Sequence, residues 1–250
     1  MFLEPEETSY DLRFRVFSTP VRVNIWFWVF SAVLGWGAYS AGGVGYLGLW
    51  VGCVFLSILI HELGHVWMGQ AFGASGHIIL YSFGGLAVGS TRLSERWQRI
   101  CVSLAGPGAQ LVLLLMVLAI YELSGDSRNW IAPARAALAY LWVINLFWPL
   151  FNLMPIWPLD GGQVCREVLL GAAPRKGLVA SLWISLVTAG ALALHSVLAQ
   201  NGLALIPLLP GMGYIGAFFF AMMCMSSWQA LQFESARGRG WDDERLPWER

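Results

Sequence analysis

Six stretches of the chain carry almost only apolar residues, at approximately 21–38, 46–67, 100–123, 136–153, 177–198 and 205–231. Each approaches the roughly 20 residues that a helix needs to cross a hydrocarbon core, so the pattern predicts six transmembrane helices. Between the second and third stretches the character changes. His77 to Phe83 is a β-rich run, followed by Gly84-Gly85 and a second short apolar run to Val88, which together read as a β-hairpin. Non-helical backbone persists at membrane depth only where it pairs internally or lines a protected cavity, which places this hairpin against the helices near one boundary. The expected fold is an all-α polytopic membrane protein of about six transmembrane helices, with a small membrane-associated β-hairpin between the second and third spans.

Composition agrees with that pattern. The residues are 57% hydrophobic and only 12% charged, too apolar for a domain that must coat itself in polar side chains. Formal net charge is zero and no dense basic run occurs, so nucleic acid is not an expected partner. All but Arg128 and Arg135 of the 15 Lys and Arg residues fall on one side of the six-span arrangement, which predicts cytoplasmic N- and C-termini. The acidic and basic residues among the first twenty differ from a signal peptide's short basic start, so the first apolar stretch is expected to be retained as a span. Cys53, Cys101, Cys165 and Cys224 stand far apart without C-x-x-C spacing and read as packing residues. The expected divisions are a cytoplasmic segment 1–20, a membrane domain 21–231 and a polar cytoplasmic tail 232–250.

Chemistry concentrates near the end of the second span. His61-Glu62-Leu63-Gly64-His65 sets two imidazoles four residues apart, on one helix face and one turn apart, where both reach a single zinc ion. Glu62 lies beside that face. Zinc lowers the pKa of its water toward neutrality, and an adjacent carboxylate can take the proton and pass it to a leaving amine, as peptide hydrolysis requires. Charged groups in an apolar span are expensive, at about 2.5–3.5 kcal/mol for an aspartate at mid-membrane on insertion scales, so packing alone does not account for them. A catalytic zinc needs a third protein ligand. The second and fourth spans both run toward the cytoplasm, and Asp160 follows the fourth at the level where the second delivers His61 and His65. Glu122 and Asp126 fall on the far side, Glu95 sits beside Arg96, and Glu167 starts an amphipathic turn.

These residues resemble the site-2 protease family of intramembrane metalloproteases. The resemblance rests on His61, Glu62 and His65, and on a later N-x-x-P-x-x-P-x-D-G segment matched by Asn152, Pro155, Pro158, Asp160 and Gly161. It implies that 21–231 is an intramembrane protease domain, that Glu62 is catalytic, that His61, His65 and Asp160 hold one zinc ion, and that Asn152 contacts the substrate backbone. It implies a transmembrane protein as substrate, the bilayer as surroundings, a function in regulated intramembrane proteolysis, and a bacterial inner membrane as location. Phe83-Gly84-Gly85 and Ala105-Gly106-Pro107 extend the similarity, the latter as small residues for close helix packing. Where the family carries Asn three residues after that proline, this chain has Gln110.

Other polar residues read as structural: Asn145 as an interhelical donor, His77 and His195 as satisfied histidines, and the 14 Trp residues as interfacial anchors. An exposed hairpin edge at 78–83 could take up an extended substrate segment through main-chain hydrogen bonds. Two rivals remain in view. A catalytically silent zinc-binding scaffold would not need Glu62, and a metal transporter would need polar residues along both leaflets, which the fifth and sixth spans lack. The length leaves no room for an inserted domain of about 100 residues.

Overall fold

The computed structural model describes residues 6–82, 84–91, 93–124, 130–174, 176–203 and 213–243, with side chains to 235. Phe83, Arg92, Asp126, Arg128, Arg175, Arg245, Arg250 and the start of the sixth expected span fall outside the described residues. The chain divides into two compact units, 1–152 and 153–250.

The first unit opens with strands β1 (Leu12–Val16) and β2 (Thr19–Val23), then helices α1 (Ile25–Leu34) and α2 (Trp36–Ala71). Strands β3 (His77–Tyr81) and β4 (Gly84–Val88) follow, then α3 (Arg96–Leu123) and α4 (Ala132–Asn152). The Asn24 side chain accepts from the Trp26 amide at 3.0 Å, which caps α1 and ends β2 at the point where the apolar run begins.

The first expected span is only partly realised. Its start, at Val21–Val23, pairs as strand β2, and the helix that follows breaks its geometry at Gly42 and Gly43, the latter at φ 71°. There the chain doubles back. The Trp50 indole donates to the Ser31 carbonyl at 3.1 Å, and Gly35 packs beneath Leu47 and Trp50. From 25 to 41 the helical path is roughly 25 Å at about 1.5 Å per residue, at the lower limit of what crosses a hydrocarbon core. Among the described residues, five helices are long and apolar enough to cross a membrane: α2, α3, α4, and in the second unit α6 and α7. This is an integral membrane protein.

The hairpin forms, with β3 and β4 antiparallel from His77 opposite Val88 to Tyr81 opposite Gly84. It is half of a larger sheet of order β1-β2-β3-β4, because the N-terminal residues expected to be a plain segment supply two strands. β2 pairs with β3 in parallel, Val21 opposite Ile78 and Val23 opposite Leu80. The alternate residues Val21, Val23, Ile78 and Leu80 point to one face and bury against Ile58, Leu59, Leu63 and Val66 of α2. That packing lays the sheet along the turns of α2 that carry His61 and Glu62. On α3 the buried positions include Ser103, Gly106 and Gln110, whereas Leu111, Val112, Leu115 and Met116 are exposed. Polar groups face protein and apolar groups face outward, as a lipid solvent demands.

The second unit contains α5 (Asp160–Ala172), α6 (Gly177–Gln200) and α7 (Gly213–Asp243). The segment before α5 is tied to α6 by the Trp157 amide, which donates to Ser185 Oγ at 2.7 Å. Ser185 and Ser227 pair across α6 and α7 at 2.6 Å. Helix α7 runs past residue 232, where the polar tail was expected to begin.

Candidate active site

Helix α2 places His61, Glu62 and His65 on consecutive turns, all buried. Their Nε2 atoms, His61 to His65, are 3.1 Å apart, with the rings nearly perpendicular at 81°. Each Nδ1 is engaged on the far side of its ring: His65 with the Val102 carbonyl at 2.7 Å, His61 with the Gln110 side-chain oxygen at 2.9 Å. A carbonyl oxygen only accepts, so His65 Nδ1 must carry the proton and its Nε2 the lone pair. Two nitrogens on one zinc at about 2.0–2.1 Å each can stand no more than about 4.2 Å apart, and the observed separation falls within that limit. The donor chemistry therefore fits a metal ion.

Three glycines shape the pocket. Gly106 of α3 lies under the His65 ring, where a β-carbon would stand 2.5 Å from Cε1 and 2.8 Å from Cδ2. Gly64 of α2 meets the Ala105 backbone in the same way, so the small residues at the start of α3 serve close helix packing and also clear room for a ligand side chain. Gly85 of β4 lies against Glu62, where a β-carbon would overlap Cγ and the carboxylate. The edge strand thus brings its backbone to the carboxylate, and only a residue without a side chain permits it. Burial pushes the Tyr81 phenol above its ordinary range, and the charge of Glu62 adds to that. Tyr81 stays a neutral hydrogen-bond donor at physiological pH.

Asn152 ends α4 and donates from Nδ2 to the Trp148 carbonyl at 3.0 Å. In the second unit Asp160 is buried and occupies the first turn of α5, where the helix dipole favours an anion. Gly161 and Gly162 pack against the backbone of Leu153, Met154, Ile156 and Trp157, which holds the start of α5 tightly on the preceding turn. Asn145 donates to Ser57 Oγ at 2.9 Å and to the Leu141 carbonyl at 2.8 Å, an interhelical bond of the kind expected. The sequence reading assigned nothing to Gln110, the Val102 carbonyl or Tyr81. A Gln in an apolar span was the available signal, because an amide in that setting needs partners.

Residues 50–127 and 120–194 match peptidase family M50. A Synechocystis protein that bears a provisional zinc metalloprotease name is 38% identical over 117 residues, covering 46% of this chain and 30% of its own length. A zinc metalloprotease of Methanocaldococcus jannaschii is 27% identical over 163 residues, covering 64% of this chain and 46% of its own length. The chain spans between 30% and 51% of the length of these and other curated relatives it matches. The solved structure of a site-2 protease from Methanocaldococcus jannaschii superposes with a TM-score of 0.60 over 89% of this chain and 95% of that one, at 23% identity, which shows a shared fold. The family match spans 50–194, more than half of the 250 residues, and agrees with the resemblance read from the two motifs: the chain belongs to peptidase family M50, the family of the site-2 proteases.

Proposed function

We propose that this chain is an intramembrane zinc metalloendopeptidase that hydrolyses a peptide bond in or next to a transmembrane segment of another membrane protein. One observation carries the reading: two buried imidazoles on a span, Nε2 atoms 3.1 Å apart, with a buried carboxylate between them in sequence. His61 and His65 supply two ligands, and Asp160 supplies the third. The family motif, the burial of Asp160 and its place at a helix N-terminus support that last assignment. Zinc, when bound, supplies Lewis acidity and makes water a better nucleophile at neutral pH. Glu62 takes a proton from the attacking water and returns it to the leaving amine.

The substrate must present extended backbone, because a helical carbonyl is already bonded within its own helix. The edge expected at 78–83 is not available for this, since β3 is paired on both sides, by β2 and β4. The outer strand next to β3 is β4, and its Gly85 adjoins Glu62. Strand addition at β4 would set an extended segment beside the base, and Asn152 would hold its freed backbone groups. The Lys and Arg distribution supports cytoplasmic termini and a site near the cytoplasmic face of a bacterial inner membrane.

The test uses wild-type and Glu62→Gln protein of equal zinc content, in liposomes with a panel of single-span membrane proteins that includes a site-2 protease substrate. Cleavage by the wild type alone is expected. Cleavage by both would remove Glu62 as the base, zinc without cleavage in either would favour the silent scaffold, and no zinc in either would remove the ligand assignment.

A further inference from the structure

We infer that Gln110 is a positioning residue that fixes the tautomer of His61 and so presents its Nε2 to the metal. The inference deepens the proposed function and rests on His61 being a ligand there. Gln110 projects from α3 with no exposed surface. Its two amide ends have different partners: Nε2 donates to the Ser57 carbonyl at 3.3 Å, and Oε1 faces His61 Nδ1 at 2.9 Å.

The orientation follows from donors and acceptors. Ser57 offers a carbonyl oxygen, which can only accept, so the NH2 end of the amide must face it. The oxygen end then faces the imidazole, and an oxygen without a proton requires Nδ1 to donate. A neutral imidazole holds one ring proton, so Nε2 of His61 carries the lone pair. The Val102 carbonyl imposes the same tautomer on His65. Two lone pairs therefore meet at 3.1 Å, an arrangement that a cation relieves.

Without Gln110, His61 could adopt the other tautomer and donate Nε2–H to His65 Nε2. That hydrogen bond would close the donor pair on itself, and a metal ion would have to break it. Gln110 excludes this closed state. The neutral amide does so without a second buried negative charge beside Glu62, which a carboxylate in the same position would bring.

The experiment measures zinc affinity by competition with a chromogenic chelator, in detergent, for wild type, Gln110→Leu and Asn145→Leu. Partners of metal-bound histidines typically account for 10–100-fold in affinity, and Gln110→Leu is expected to lose about that much. Asn145→Leu removes an amide from the same buried cluster, bonded to Ser57 Oγ and not to His61, and is expected to keep wild-type affinity. Equal affinity of Gln110→Leu and wild type, or an equal loss in both variants, overturns the inference. A readout that needs no folded variant at position 110 is the 15N spectrum of metal-free wild type with labelled histidine, the His61 signals being assigned by their loss in His61→Gln. An Nδ1–H tautomer at His61 is expected, and an Nε2–H tautomer overturns the inference. Failure of the wild type to take up zinc would instead remove the function proposed above, so the two failures are distinguishable.

Discussion

Replacing Gly106 by alanine tests whether the metal position depends on space cleared by α3. The new methyl would stand 2.5 Å from His65 Cε1 and 2.8 Å from Cδ2, whereas ordinary carbon contacts begin near 3.4 Å. Nε2 lies closer still to the new methyl, so the ring would have to retreat by at least about 0.9 Å, several times the ±0.2 Å or so within which metal–ligand distances are held. It cannot tilt freely, because Nδ1 is held to the Val102 carbonyl at 2.7 Å. The ring therefore either breaks that bond or leaves the metal position. Overpacking of this kind costs about 1–3 kcal/mol of stability, offset in part by the better helix propensity of alanine, by up to about 1 kcal/mol. Gly106→Ala is expected to fold with a lowered unfolding temperature and to lose zinc affinity by more than the 10–100-fold typical of an indirect partner. Gly108→Ala is the control, since nothing lies within 4 Å of its added methyl. Chelator competition and thermal unfolding in detergent give both quantities. Wild-type zinc affinity in Gly106→Ala would refute the reasoning, because the ring would then have found another way to the same position.

Gly85→Ala should separate binding from chemistry: the atoms nearest its methyl all belong to the Glu62 side chain. A misplacement near 1 Å costs on the order of 100-fold in rate, so cleavage should fall by about that factor with zinc content unchanged, and parallel loss of zinc would contradict this. Outside the membrane, Asp11 accepts from the Thr8 amide at 3.2 Å and Asn24 at 3.1 Å, and pairs with Arg22 at 3.4 Å. Burial pushes its carboxyl up, but bonds from Thr8 and the charges of Arg22 and Arg13 prevail and hold it below the ordinary value. A lowered folded-state pKa contributes stability that is complete above the ordinary carboxylate range, near pH 4, and lost as pH falls through the lowered value. Asp11→Asn should flatten that part of the profile of unfolding temperature against pH below about 4, and an unchanged acid limb would refute the assignment.

The zinc helix was legible because its information is local. Residues four apart in a helix share a face whatever surrounds them, so His61 and His65 were paired before any fold was known, and Glu62 came with them. The hairpin was legible for the same reason, as two short apolar runs flanking Gly84-Gly85, although those glycines begin β4 and are not the turn. Asp160 was reached through an ordering of spans and a family motif. The start of the first stretch misled, because apolar content alone does not separate a buried strand such as β2 from the beginning of a helix. Length shortens the choice only when the helix ends are known, and Gly42–Gly43 set that end by backbone geometry.

By itself the sequence determined that the chain lies in a membrane, that two imidazoles and a carboxylate, the proposed metal ligands and base, share one helix, and that a small β-element stands next to them. Periodicity and transfer free energy act over a few residues and are written in the order of the chain. Only the tertiary structure decided that β2 joins β3 across more than fifty intervening residues, leaving β4 and not β3 as the hairpin's open edge. It also decided that Gly85 reaches Glu62, that Gly106 clears the place of His65, and that Gln110 faces His61. Those contacts depend on how separate helices and strands approach, and a buried amide or a glycine carries no local mark of the side chain it will meet.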